Sequence, residues 1–185
     1  MTDVPVPGTV LSASGADIGF ARFAQMIEAT SGLTLSQVCA LTGLEASTVQ
    51  NWIKRGFVPR PVGKKYRERH LARILLISSL RDCMQIDRIG ELMTYINGDT
   101  ESEDDDIISE VQLYDYLCSV CISLSSGEVA LERVADTAAG VAADFDADDA
   151  SKEKLTRSLT VMAYAYLAGL IKRESERRFA DIFNT

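Results

Sequence analysis

Residues 34–59 read TLSQVCALTGLEASTVQNWIKRGFVP, and this stretch decides the fold. Thr34 followed three residues later by Gln37 forms a capping box, in which the two side chains satisfy backbone donors that the first turn of a helix leaves open. It opens a short helix over 35–41, with Leu35, Val38 and Leu41 on one side. Thr42-Gly43-Leu44 turns the chain, and a second short helix runs over 46–54 until Gly56 stops it. Two short helices joined by a three-residue turn containing Gly are the signature of a helix-turn-helix. The first packs across the second, so the second can project its polar face into a major groove about 12 Å wide. Val38, Leu41, Leu44, Val49 and Trp52 are the expected shared core. Ser47, Thr48, Gln50, Asn51 and Lys54 then face outward as candidate base contacts, since Gln and Asn can pair bidentately with adenine.

The chain that follows is rich in Pro and in positive charge. Pro59, Pro61 and Gly63 forbid a helix, and Phe57, Val58, Val62 and Tyr66 flank them, which predicts a short β-ribbon or wing. Arg55, Arg60, Lys64, Lys65, Tyr66, Arg67 and Arg69 are the candidate phosphate contacts beside the reading helix. A helix over 68–82 is expected next, with Leu71, Ile74, Leu75, Ile77 and Ser78 inward and Arg69, Arg73 and Arg81 outside. Another runs over 87–96 and ends at Asn97-Gly98.

Composition agrees with a chain that has two differently charged parts. The 185 residues are 46% hydrophobic and 25% charged, enough for one medium domain or two small ones, with a net charge of −8. That total conceals a change of sign: residues 1–50 carry −3, 51–90 carry +7, 91–150 carry −15 and 151–185 carry +3. Nucleic acid is therefore a plausible partner of the second segment despite the acidic total.

At this point the sequence resembles the DNA-binding domain of MerR-type transcription regulators. The resemblance rests on Gln37-Val38, Thr42-Gly43-Leu44, Ser47 to Trp52, Gly56-Phe57-Val58-Pro59, then Tyr66 with Leu71-Ala72-Arg73-Ile74 and Ile77. It covers residues 34–97, roughly a third of the chain, and is closest to a little-characterised subgroup found in Firmicutes in which Trp holds the aromatic position of Trp52. It implies a winged helix-turn-helix and binding to double-stranded DNA; a homodimer is expected because one winged unit offers too few base contacts for tight operator binding and a symmetric dimer doubles them. Gln50 stands where these regulators commonly carry Arg, Gly63 where a wing Tyr is common, Lys64 where Arg is usual, and His70 replaces an acidic residue. The family's single dimerising helix and metal sensor do not carry over, because an acidic stretch and several helices follow here.

The remaining segments are read more simply. Residues 1–14 suggest a loose arm, and Ser14 with Asp17 a capping pair for a helix carrying Ile18, Phe20, Phe23, Ala24 and Ile27. Residues 99–106 hold six carboxylates and no apolar side chain, as a linker or helix start; they could also compete with phosphate for Lys64, Lys65, Arg67 and Arg69. Helices are expected over 107–124, 128–143 and 151–179, the last containing the apolar run Leu159 to Ile171, a candidate dimer interface or its supporting core. That run is too short to span a membrane, and the first residues lack the charged start of a signal peptide, which together predict a cytoplasmic location.

No catalytic constellation and no metal site emerge. His70 is the lone histidine, and Cys118 with Cys121, one turn apart, read as buried apolar thiols and not zinc ligands. Asp144, Asp146 and Asp148 mimic the start of a calcium loop but lack its Gly and its twelfth-position Glu, so they read as a charged loop capping the next helix. The expectation is an all-α protein with a small β-wing and no cofactor: an arm and helix (1–33), a winged helix-turn-helix domain (34–98), an acidic linker (99–106) and a helical C-terminal domain (107–185). Its expected function is sequence-specific DNA binding in transcription regulation. The alternative is a protein-interaction or recombination-accessory module using the same fold, with the C-terminal helices as a contact for a protein partner.

Overall fold

The computed structural model describes residues 3–14, 18–100, 102, 106–125 and 131–183. The protein is mostly helical: α1 (Ala21–Ala29), α2 (Leu35–Thr42), α3 (Ala46–Lys54), α4 (Glu68–Leu80), α5 (Ile86–Asn97), α6 (Glu110–Ser125), α7 (Arg133–Ala142) and α8 (Asp149–Phe183). A two-stranded antiparallel sheet, β1 (Asp3–Pro5) with β2 (Ser12–Ser14), precedes them. Among the described residues no helix is long and apolar enough to cross a membrane.

The local signals around residues 34–59 act as their chemistry dictates. The Thr34 backbone N–H donates to Gln37 Oε1 at 2.8 Å and the Gln37 N–H donates to Thr34 Oγ1 at 3.3 Å, closing the capping box of α2. Gly43 ends α2 in the left-handed region at φ 70°, which a side chain would oppose, and its N–H returns to the Cys39 carbonyl. α3 then begins at Ala46 with Val49 and Trp52 buried.

α4 is the axis of the molecule. Ten of its thirteen residues are buried, so it is enclosed by neighbours on nearly every side. α2, α5, α6 and α8 supply them. The core is therefore continuous from Val6 through Leu33, Trp52 and Leu75 to Leu113, Leu159 and Leu167, and the two charge-distinct halves of the chain share it.

Several expectations are corrected by this packing. The loose arm is instead a hairpin seated on the helices: Tyr114 Oη donates to the Pro7 carbonyl at 2.8 Å and Tyr166 Oη to the Pro5 carbonyl at 3.2 Å. The helix expected from Ser14 starts at Ala21, because Ser14 belongs to β2 and the Phe20 N–H is capped by Asp115 Oδ1 at 2.6 Å; Asp17 lies outside the described residues. The ribbon expected around 57–66 is reduced to a turn closed by a single bridge, Val62 to Lys65. Gly63 and Lys64 both have φ 60° there, as a tight two-residue hairpin turn requires. Arg73, expected outside, is among the largest fully buried side chains.

Arg73 is buried because every part of its guanidinium finds a partner. Nε donates to the Phe57 carbonyl at 2.8 Å, Nη1 to Glu110 Oε1 at 2.9 Å and Nη2 to Thr100 Oγ1 at 2.9 Å. Desolvation lowers its pKa, and the charge and hydrogen bond of Glu110 oppose that shift. Stranding one charge of such a buried pair is expensive, so Glu110→Ala should lower unfolding free energy by about 3–5 kcal/mol. Breaking the exposed Arg88–Glu91 pair should change it by less than ~0.5 kcal/mol. Urea unfolding of the two variants beside the parent chain tests the contrast.

Candidate nucleic-acid interface

α3 is amphipathic in the sense a reading helix needs. Val49 and Trp52 anchor it to the core, while Ser47, Gln50, Asn51 and Lys54 are exposed and Thr48 is half-buried at its flank. Its exit is set by Phe57, whose carbonyl is held by Arg73 and whose ring rests where a side chain on Gly90 of α5 would collide with it.

The candidate phosphate contacts divide into two groups. Arg60, Lys64 and Arg67 are exposed and close together in sequence along the turn and the start of α4. Arg55 is exposed, but its guanidinium pairs with Asp87 at 2.6 Å and lies 4.6 Å from the Phe57 ring centroid. Three others serve the protein itself. Lys65 Nζ donates to the carbonyls of Thr30 at 2.9 Å and Gly32 at 3.1 Å, closing the end of α1. Tyr66 is buried at 4% exposure, with its backbone paired to Leu33. Arg69 donates to Glu110 Oε2 and to the carbonyls of Thr100 and Ser102. These three are set apart from the phosphate set because Lys65 and Arg69 donate to partners inside the fold and the Tyr66 side chain is buried.

That arrangement also bears on the acidic stretch. Arg69 and Arg73 meet Glu110 at the head of α6, one turn beyond the carboxylates expected to compete for basic side chains. Glu101, Glu103, Asp104 and Asp105 lie outside the described residues.

Two groups that sequence reasoning did not assign border α3. Arg81, just past α4, and Lys172, on α8, line a groove with Thr48 and Trp52. Arg81 was placed on the outside of its helix, but nothing in the sequence could place Lys172 near α3, because more than a hundred residues separate them.

The other candidate chemistry resolves into structure. Cys118 and Cys121 are buried free thiols; burial pushes Cys118 up to about 12 and raises Cys121 well above its ordinary value. Among the described residues no three His, Cys, Asp or Glu side chains group as metal ligands would. Asp148 caps α8 by accepting the Ser151 N–H at 2.9 Å, the role its loop suggested, and that bond lowers its pKa. Tyr114 and Tyr166 donate to the N-terminal hairpin, while Tyr164 Oη donates to the Leu131 carbonyl at 2.9 Å.

These residues lie within a recognised sequence family. Residues 23–117, just over half of the chain, match the model described as a domain of unknown function, DUF1836, and the chain belongs to that family. It is also 27% identical over 85 residues to "Uncharacterized protein YkrK" of Bacillus subtilis (strain 168). That match covers 44% of this chain and 36% of the relative, so the chain spans little more than a third of that protein's length. No solved structure matches it.

The thiols give a direct check on this geometry. Cys83 is exposed in the groove beside α3, whereas Cys118 and Cys121 are enclosed and held as thiols. At mildly alkaline pH a maleimide should modify Cys83 rapidly and leave Cys118 and Cys121 untouched until denaturant is added. Peptide mass mapping after timed labelling reads this out.

Proposed function

We propose that the chain is a DNA-binding regulator of transcription, in which α3 reads base edges in the major groove and the turn before α4 grips phosphates. One observation carries the reading: α3 is fixed from behind by Val49 and Trp52 and turns Ser47, Gln50, Asn51 and Lys54 to solvent, on a helix-turn-helix scaffold. Arg60, Lys64 and Arg67, exposed nearby, fit phosphate, and the short turn around Gly63 and Lys64 takes the place of a wing. The resemblance to MerR-type regulators over residues 34–97 supports the same reading.

The roles separate by experiment. The first measurement is binding to genomic and random duplexes across salt concentrations, where a steep salt dependence reflecting about six to ten phosphate contacts is expected. Gln50→Ala should relax preference at one or two base pairs and cost about 1–3 kcal/mol on the best site. Lys64→Ala should instead weaken all duplexes alike and flatten the salt dependence. Equal, uniform losses from both changes would reject this division of labour.

The proposed regulator acts as a homodimer. Leu159, Met162, Ala163 and Tyr166 of the apolar run are buried within the chain itself, which makes the run supporting core. The exposed apolar surface begins at Ile171, the end of the run, and continues along α8 at Phe179, Ile182 and Phe183, each more than 60% exposed. Light scattering at micromolar concentration should give twice the chain mass, and Phe179→Glu with Ile182→Glu should return it to monomer. The same surface favours the second reading, a protein-interaction or recombination-accessory module, which would be preferred if the chain retained no DNA at low salt.

A further inference from the structure

α4 acts as a ruler across the proposed DNA surface. Arg67 caps its start and Arg81 its end, fourteen residues apart, about 20 Å at the rise of a helix. The segment leaving α3 runs back along this axis. The Phe57 carbonyl accepts from Arg73, and the Arg60 carbonyl lies 3.3 Å from His70 Nε2, one turn inside α4. The turn with Lys64 thus stands at one end of α4, while Thr48 and Trp52 of α3 stand near the other end, across a groove of about 480 Å³ from Arg81 and Lys172.

The charges along that second edge are available. Among the described residues no carboxylate pairs with Arg81, which is exposed. Asp82, the carboxylate in the groove, is paired with Arg173. Lys172 is 57% exposed on its side chain, 3.9 Å from Glu176 and 3.5 Å from the Asp82 carbonyl, both contacts a flexible ammonium can exchange for a phosphate. Three cations face two carboxylates here, in a chain whose total charge is negative.

We propose that Arg81 and Lys172 form a second phosphate-gripping edge beside the reading helix, so that α8 takes part in DNA binding. The inference rests on the DNA-binding reading and extends it. A helix in a major groove lies between two rows of phosphates, and contacts along one row alone leave it free to swing. Basic groups at both ends of α4, about 20 Å apart, straddle a groove about 12 Å wide and fix α3 between them. The recognition unit then includes residues from both charge-distinct parts of the chain.

The test uses the whole chain and a short random-sequence duplex, followed by fluorescence anisotropy across salt concentrations. Arg81→Ala with Lys172→Ala should reduce the slope of log affinity against log salt by about 1.8, at about 0.9 per lost phosphate contact. Lys172→Glu should weaken binding further than Lys172→Ala, and both changes lie on exposed side chains, so thermal melting should match the parent. Saturating duplex should also slow maleimide modification of Cys83, which sits in the groove. Unchanged affinity and slope in the double variant, with Lys64→Ala still weakened, overturns the second edge and leaves the DNA reading standing. An unchanged Cys83 labelling rate under saturating duplex also overturns it. No binding by the parent chain overturns both.

Discussion

The buried guanidinium of Arg73 is the joint on which the rest of the structure depends. A charge with 2% side-chain exposure persists only if its donors are satisfied, and here three different parts of the chain satisfy them. Phe57 contributes the exit of α3, Thr100 the segment after α5, and Glu110 the first turn of α6. The basic stretch 51–90 and the acidic stretch 91–150 are thereby locked together where their opposite charges meet out of water. Weaker electrostatics at an exposed hinge would let the halves move independently; burial makes the pairing directional and specific.

The α2–α3 pair is consequently not a module on a string. Its exit angle is held by Arg73, and the end of α2 is touched by the N-terminal hairpin, where the Val10 N–H donates to the Leu41 carbonyl at 3.1 Å. That hairpin is pinned to α6 and α8 through Tyr114 and Tyr166. Any displacement of α8 would be felt at α2 through packed contacts and not through a flexible linker.

The basic residues illustrate how a surface is selected from a composition. Of seven candidate phosphate contacts, Lys65, Tyr66 and Arg69 are consumed in closing α1, filling the core and meeting Glu110. Of those left exposed, Arg55 pairs with Asp87 at the surface, and Arg60, Lys64 and Arg67 stand toward solvent. A count of Lys and Arg between two positions overestimates the charge presented to a partner whenever part of it neutralises the protein's own carboxylates and carbonyls.

The sequence by itself determined the features whose partners lie within a few residues. Thr34 with Gln37, the left-handed Gly43, the Val49 and Trp52 face of α3 and the Asp148 cap of α8 are all decided by steric and hydrogen-bonding rules over one or two turns of backbone. Only the tertiary structure decided the rest, because the partner is far along the chain. Phe20 is capped by Asp115, Pro7 is held by Tyr114, and Lys172 comes to line the same groove as Thr48. Arg73 shows the difference most clearly. Its spacing on α4 marked it as outward-facing, since a guanidinium belongs in water unless it is matched. Glu110, thirty-seven residues away, matches it, and no local pattern encodes that a carboxylate will arrive there.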